Sequence, residues 1–117
     1  MALNDAALEL MADALAAEVT HLSLHSSTPN SSGSNEVTGG GYSRQSVTWN
    51  VDQDGDLTLA STVSFSGPSE GTVTHVGLWD ASSSGNFYGA FALSGDTAFN
   101  SAGQYNVTQL TINSTAS

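Results

Sequence analysis

TVTHVGLW, residues Thr72–Trp79, decides the fold. Apolar side chains stand at both parities of this run, Val73 and Trp79 on one and Val76 and Leu78 on the other. Neither face therefore suits water, and the run reads as a central strand buried on both sides. Gly67-Pro68 ends the segment before it, and DASSSG (Asp80–Gly85) makes a turn after it. C-terminal to that turn, Asn86–Leu93 alternates Phe87, Phe91 and Leu93 against Tyr88, Ala90 and Ala92. Thr97–Asn100 is a short edge-strand candidate. Gln104–Ile112 switches parity between Val107 and Leu110, which a bulge would explain.

The same period continues towards the N-terminus. Leu57, Leu59, Val63 and Phe65 alternate along one long strand, and Val47, Trp49 and Val51 share a face of Gln45–Val51. Between them DQDGD (Asp52–Asp56) is a turn, with Asp54-Gly55 a strong hairpin signal. Thr20–Ser26 sets Leu22 and Leu24 against His21, Ser23 and His25. Before Val19 the period changes from 2 to 3.6. Leu3, Ala7, Leu10, Met11 and Ala14 fall on one helical face, and Asp5, Glu9 and Asp13 on the opposite one. Asn4 fits the N-cap, and Leu3 with Leu8 fits a hydrophobic staple. These elements predict a mainly β protein: one domain over residues 1–117, a single-domain antiparallel β-sandwich of seven or eight strands with an N-terminal α-helix over about residues 4–18.

Composition bounds the function. The chain has 117 residues, 11 acidic side chains, no lysine and a single arginine, Arg44, for a net charge of −10. Such a surface repels nucleic acid backbones and anionic membranes. It matches adaptation to molar salt, where self-repulsion is screened within a few ångströms. The absence of cysteine excludes disulfides and thiolate metal sites. The start lacks the positive n-region of a secretory signal, and no apolar stretch reaches membrane-spanning length.

Residue patterns that carry chemistry are sparse, and neither an enzyme nor a cofactor is expected. Asp52, Asp54 and Asp56 alternate as in the opening of a calcium loop. The EF-hand pattern then needs Gly sixth and Glu twelfth, where Leu57 and Val63 stand. A loose surface cation site is the remaining metal candidate there, with a solvated hairpin turn as the default. His21, His25 and His75 have no zinc-ligand spacing, and hydrogen-bonded strand histidines are expected instead. No G-x-S-x-G elbow occurs, and Gly39–Gly41 lacks the lysine of a phosphate loop. Sequons stand at Asn30, Asn106 and Asn113. The Ser27–Arg44 segment, with Glu36, Tyr42 and Arg44, and the helix, with Leu3 and Leu10, are the expected contact elements. Arg44 has two readings, a fork pinning the end of the long loop or a contact to an acidic neighbour. Deleting Ser31–Gly40 is expected to leave the fold intact and to impair incorporation into a particle.

Four strings stand in order: THLSLH (Thr20–His25), EVTGGGYSRQ (Glu36–Gln45), VTW (Val47–Trp49) and VTHVGLWD (Val73–Asp80). Together they resemble a family of small tailed-phage virion proteins labelled tail fibre or minor tail proteins, over nearly the whole chain. The resemblance implies a virion component assembled in the host cytoplasm, partnered by capsid or tail subunits, homo-oligomeric and able to meet a host-surface receptor. It carries over no catalytic residue. A capsid-surface turret or decoration protein is the alternative location. The missing lysines depart from the family pattern and look like a virus of halophilic archaea. A carbohydrate-binding module is the competing function. Exposure of Trp49, Trp79 or Tyr88 would favour it, and burial of all three would count against it.

Overall fold

The computed structural model describes residues 4–52, 55–93 and 97–112. Helix α1 (Asp5–Glu18) begins as its sequence requires. Asn4 is extended, and its side-chain oxygen accepts the Ala7 N–H at 2.9 Å, satisfying one of the free amides of the first turn. It ends at the buried Val19, whose N–H returns to the Leu15 carbonyl at 2.8 Å. The proposed Leu3–Leu8 staple lies outside the described residues.

The helix docks by a different face from the expected one. Ala12 is 2 % exposed, Leu8 lies over Gly55 and Leu15 packs on the core, whereas Leu10 and Met11 face solvent. The physical reason is that Leu8, Ala12 and Leu15 form a second apolar stripe between the Leu10–Met11 stripe and the acidic side of Glu9 and Asp13. Periodicity marks two apolar faces, and docking on the following hairpin selects between them.

Nine strands form among the described residues. One sheet contains β1 (His21–His25), β2 (Gln45–Ser46), β6 (His75–Trp79) and β7 (Phe87–Ala92), in the order β2-β1-β6-β7. A second contains β3 (Trp49–Val51), β4 (Leu57–Leu59) and β9 (Thr111–Ile112), in the order β3-β4-β9. The third pairs β5 (Val63–Ser66) with β8 (Gln104–Val107). All pairings are antiparallel. The fold is therefore mainly β, as expected, and β6 is a central strand with all but its first residue buried.

Three of the expected long strands each break in two: 45–51 into β2 and β3, 57–66 into β4 and β5, and 104–112 into β8 and β9. The halves join different sheets. The parity switch after Val107 is thus a change of partner, from β5 to β4, rather than a bulge. The bulge lies elsewhere, in the β6–β7 ladder, where Leu78 pairs with Gly89 but Trp79 pairs with Phe87. Tyr88 is the extra residue. Phe87 is thereby turned away from Phe91, its expected face-mate, and packs on Trp79 with ring centroids 5.0 Å apart. Thr97–Asn100 makes one isolated bridge, Thr72 to Ala98, and buries Phe99 instead of forming an edge strand.

Leu22, Leu24, Val76 and Leu78 point from the four-stranded sheet into a core shared with Val63, Phe65, Tyr105 and Val107 of the β5–β8 pair. The opposite face of β1 and β6 carries Ser23, His25, Gly77 and Trp79. It is buried as well, because the segment between β1 and β2 folds back over it.

Candidate functional site

Ser23, His25 and Trp79 converge beneath that folded-back segment. Ser23 stands opposite Gly77 across the β1–β6 ladder, and His25 opposite His75. The Trp79 indole N–H donates to Ser23 Oγ at 2.7 Å, and Ser23 Oγ lies 2.6 Å from His25 Nε2. His25 Nδ1 lies 2.8 Å from the Ser34 carbonyl. A carbonyl only accepts, so Nδ1 bears the proton and Nε2 accepts from the serine hydroxyl. The chain of bonds runs one way, from indole to hydroxyl to imidazole to carbonyl, with a neutral histidine. Burial holds the His25 pKa below its ordinary value, opposed by the Ser34 bond and by Glu36.

Two glycines make room for this relay. A Cβ on Gly77 would fall against Ser23 Oγ and His25 Nε2, and one on Gly33 would collide with the Trp79 indole. Gly33 also has φ +78, a conformation other residues rarely adopt. A serine within hydrogen-bond reach of a histidine has the spacing of a nucleophile and its base. Here both side chains are fully buried and each oxygen and nitrogen is already engaged, so no substrate reaches them.

Arg44 closes the other end. Its Nε and one terminal nitrogen reach the two Glu36 oxygens, both at 3.1 Å. The other terminal nitrogen donates to the carbonyls of Ala81 and Ser84 at 3.2 and 2.8 Å. The guanidinium carbon sits 3.4 Å from the centroid of a Trp79 ring, a cation–π stack, and the side chain is only 9 % exposed. Tyr42 donates to Glu36 at 2.8 Å, accepts the Leu24 N–H at 2.9 Å and stacks on Phe65. Burial, with Glu36 beside it, pushes the Tyr42 pKa far above the usual phenol value. The arrangement is a clamp: one bidentate ion pair ties the 26–44 segment to the 80–86 turn through the face of Trp79.

The expected site residues are distributed as follows. Glu36, Tyr42 and Arg44 do meet, in one network, with their hydrogen bonds directed inward; of the two readings of Arg44, the fork pinning the loop is what the geometry displays. Leu10 is exposed on α1, and Leu3 lies outside the described residues. Asp52 accepts the Asp56 N–H at 2.9 Å across the hairpin turn, and Asp54 lies outside the described residues. His21 and His75 each bond the preceding threonine hydroxyl, His21 stands at the far end of β1 from His25, and among the described residues no three metal-ligating side chains cluster. Asn30 orders its own turn by accepting from Ser32 and Ser34, Asn106 is exposed on β8, and Asn113 lies outside the described residues. Trp79 is buried, Trp49 is half-buried with its N–H on the Val19 carbonyl, and Tyr88 is exposed. Ser23, Trp79, Gly33 and Gly77 were absent from the expected contact set. Polar residues alternating along a strand opposite a Gly-x-Trp are the signal that could have found them.

Fold and site together define a class: a mainly β, antiparallel domain whose polar clusters hold down its own long loop. Within that class the chain is similar to a particular set of viral proteins. A family model described as podophage GP4 fiber I protein gp80 matches residues 2–115, nearly the whole chain, and the chain belongs to that family. No curated protein matches it.

Proposed function

We propose that this chain is a non-enzymatic structural component of a tailed virus particle, placed in its fibre, and that it acts through contacts with other virion proteins. The observation that carries the reading is membership of a podophage fibre family over residues 2–115. The clamp supports it. His25, Arg44 and the buried Ser23 are engaged in fastening loop to sheet, which suits a part whose role is a fixed shape. The acid surface, with one cation held internally, suits particles that assemble in concentrated salt, as in a virus of halophilic archaea. A host-surface receptor would then be met by the exposed loops.

Burial of Trp79 and the engaged indole of Trp49 leave Tyr88 as the one exposed aromatic among the three that a glycan-binding reading relies on. The exposure of Tyr88 meets one arm of the glycan-binding expectation, and it is the family match over residues 2–115 that puts the structural reading first.

The test is fractionation of purified particles into heads and tails, followed by mass spectrometry. Recovery of the chain with the fibre-bearing tail fraction is the expected result. Recovery with heads would move it to a turret or decoration role, and its absence from particles would refute the proposal.

A further inference from the structure

Strand β7 is an edge of the four-stranded sheet, and among the described residues its backbone is bonded to β6 alone. The Leu93 N–H donates to the Thr74 carbonyl at 2.8 Å, in register with that ladder. Alternation then turns Phe91 towards β6, and the N–H and C=O groups of Ala90 and Ala92 away from it. Open grooves lie beside these outward groups, one bordered by Pro29, His75, Ala90 and Ala92, the other by Ala92, Leu93 and Leu110. Edge strands are ordinarily guarded by charge, proline, brevity or a bulge. FYGAFA (Phe87–Ala92) has six residues, no charge and no proline, and its bulge lies at Tyr88, which leaves Ala90–Ala92 regular.

We propose that β7 pairs antiparallel with β7 of a second copy of the chain, about a two-fold axis that passes beside Ala90 perpendicular to the sheet. Two four-stranded sheets then join into one of eight strands. Hydrogen bonding is the first reason. In this register Ala90 meets the partner's Ala90, and Ala92 meets the partner's Tyr88. The outward groups of Ala90 and Ala92 therefore fall at the bonding positions of the new ladder. Side-chain size is the second. The same register sets Phe91 opposite the partner's Gly89 and Tyr88 opposite the partner's Ala92, large on small in both pairs, and the axis keeps each pair on one face. A Cβ on Gly89 would meet nothing within 4 Å, so the ring across from it has open space to fill. Charge is the third. Asp80 and Glu18, the described carboxylates that border the strand, both lie by Tyr88. Antiparallel pairing sets the two Tyr88 residues four positions apart, about 13 Å along the strands, so like charges do not meet. The pairing is also closed, because β2 at the other edge of the sheet has only two residues to offer a further copy.

The proposal goes beyond the fibre-component reading and is tested apart from it, on the purified full chain. Sedimentation velocity in about 0.1 M and about 2 M salt is expected to give a dimer that tightens as repulsion is screened. Amide hydrogen exchange followed by NMR locates the contact without any variant. As the chain is concentrated through its dissociation constant, the Ala90 and Ala92 amides are expected to slow at least about tenfold, while the Phe91 amide, bonded to β6 in either state, changes less. Ala92→Pro removes one outward N–H and no bond to β6. It is expected to weaken the dimer at least about tenfold with the circular dichroism spectrum unchanged. A monomer in both salts, a trimer, a folded Ala92→Pro variant that still dimerises fully, or a dimer whose Ala90 and Ala92 amides exchange at the same rate at every concentration would each overturn the pairing. So would a monomer whose β7 edge is protected only by a different virion protein. None of these outcomes bears on whether the chain is found in particles, and its absence from particles would leave the pairing untouched.

Discussion

At the scale of single residues, Ser23 links side chains of the neighbouring strands β1 and β6 with one hydroxyl. It accepts from Trp79 and donates to His25, and both Ser23 and His25 are fully buried from solvent. Ser23→Ala leaves an indole N–H and an imidazole nitrogen unpaired together, and we expect a loss of about 2–4 kcal/mol in urea unfolding. Adding Trp79→Phe to that variant should cost less than Trp79→Phe alone after allowance for lost packing, because its donor is already orphaned. The same group sets the acid limit. The native pKa of His25 is lowered by burial, so as pH falls through about 6.5 the unfolded chain takes up a proton that the folded one refuses. Stability is therefore full above that pH and declines below it, and the urea midpoint should drop between about pH 7.5 and about pH 5.5. Tyr42 sets the alkaline limit. Its raised pKa means that above about pH 10 the unfolded chain ionises first, so stability falls there too.

At the scale of elements, the long segment between β1 and β2 behaves as a covering layer. Its composition of Ser, Asn, Gly and Pro reads as an exposed loop, and from composition alone its removal looks harmless. In the fold it supplies Gly33 beneath the indole, the Ser34 carbonyl to His25, Glu36 to Arg44 and Val37 to the core. Deleting Ser31–Gly40 is therefore expected to abolish cooperative unfolding, which circular dichroism on heating would register. A milder probe is Arg44→Lys. Lysine keeps the charge but cannot hold two carboxylate oxygens and two carbonyls in one plane, nor stack as well on Trp79. We expect a loss on the order of 2 kcal/mol, measured by denaturant titration. The 26–44 segment should also become more protease-sensitive. The other elements were more legible: Asn4 as a cap, the hairpin joining β3 to β4 and β6 as a buried strand each follow from local rules.

At the scale of the whole molecule, charge sets the conditions. Eleven acidic residues against one arginine that is itself buried leave the surface with one sign of charge. Screening that self-repulsion should raise the melting temperature steadily between about 0.1 M and about 2 M salt, and a flat or falling curve in differential scanning calorimetry would contradict the account. Period-two patterning, turn chemistry, the helix cap and the acid surface are local or summed properties, and the sequence by itself determined them: the mainly β class, the hairpin connection after β3, the N-terminal helix and the exclusion of thiol chemistry. Which partner each half-strand takes, which face of α1 is buried, and that Ser23, His25, Glu36, Arg44 and Trp79 meet depend on contacts between residues far apart along the chain. Only the tertiary structure decided these, because periodicity tells which residues need cover and is silent on what provides it.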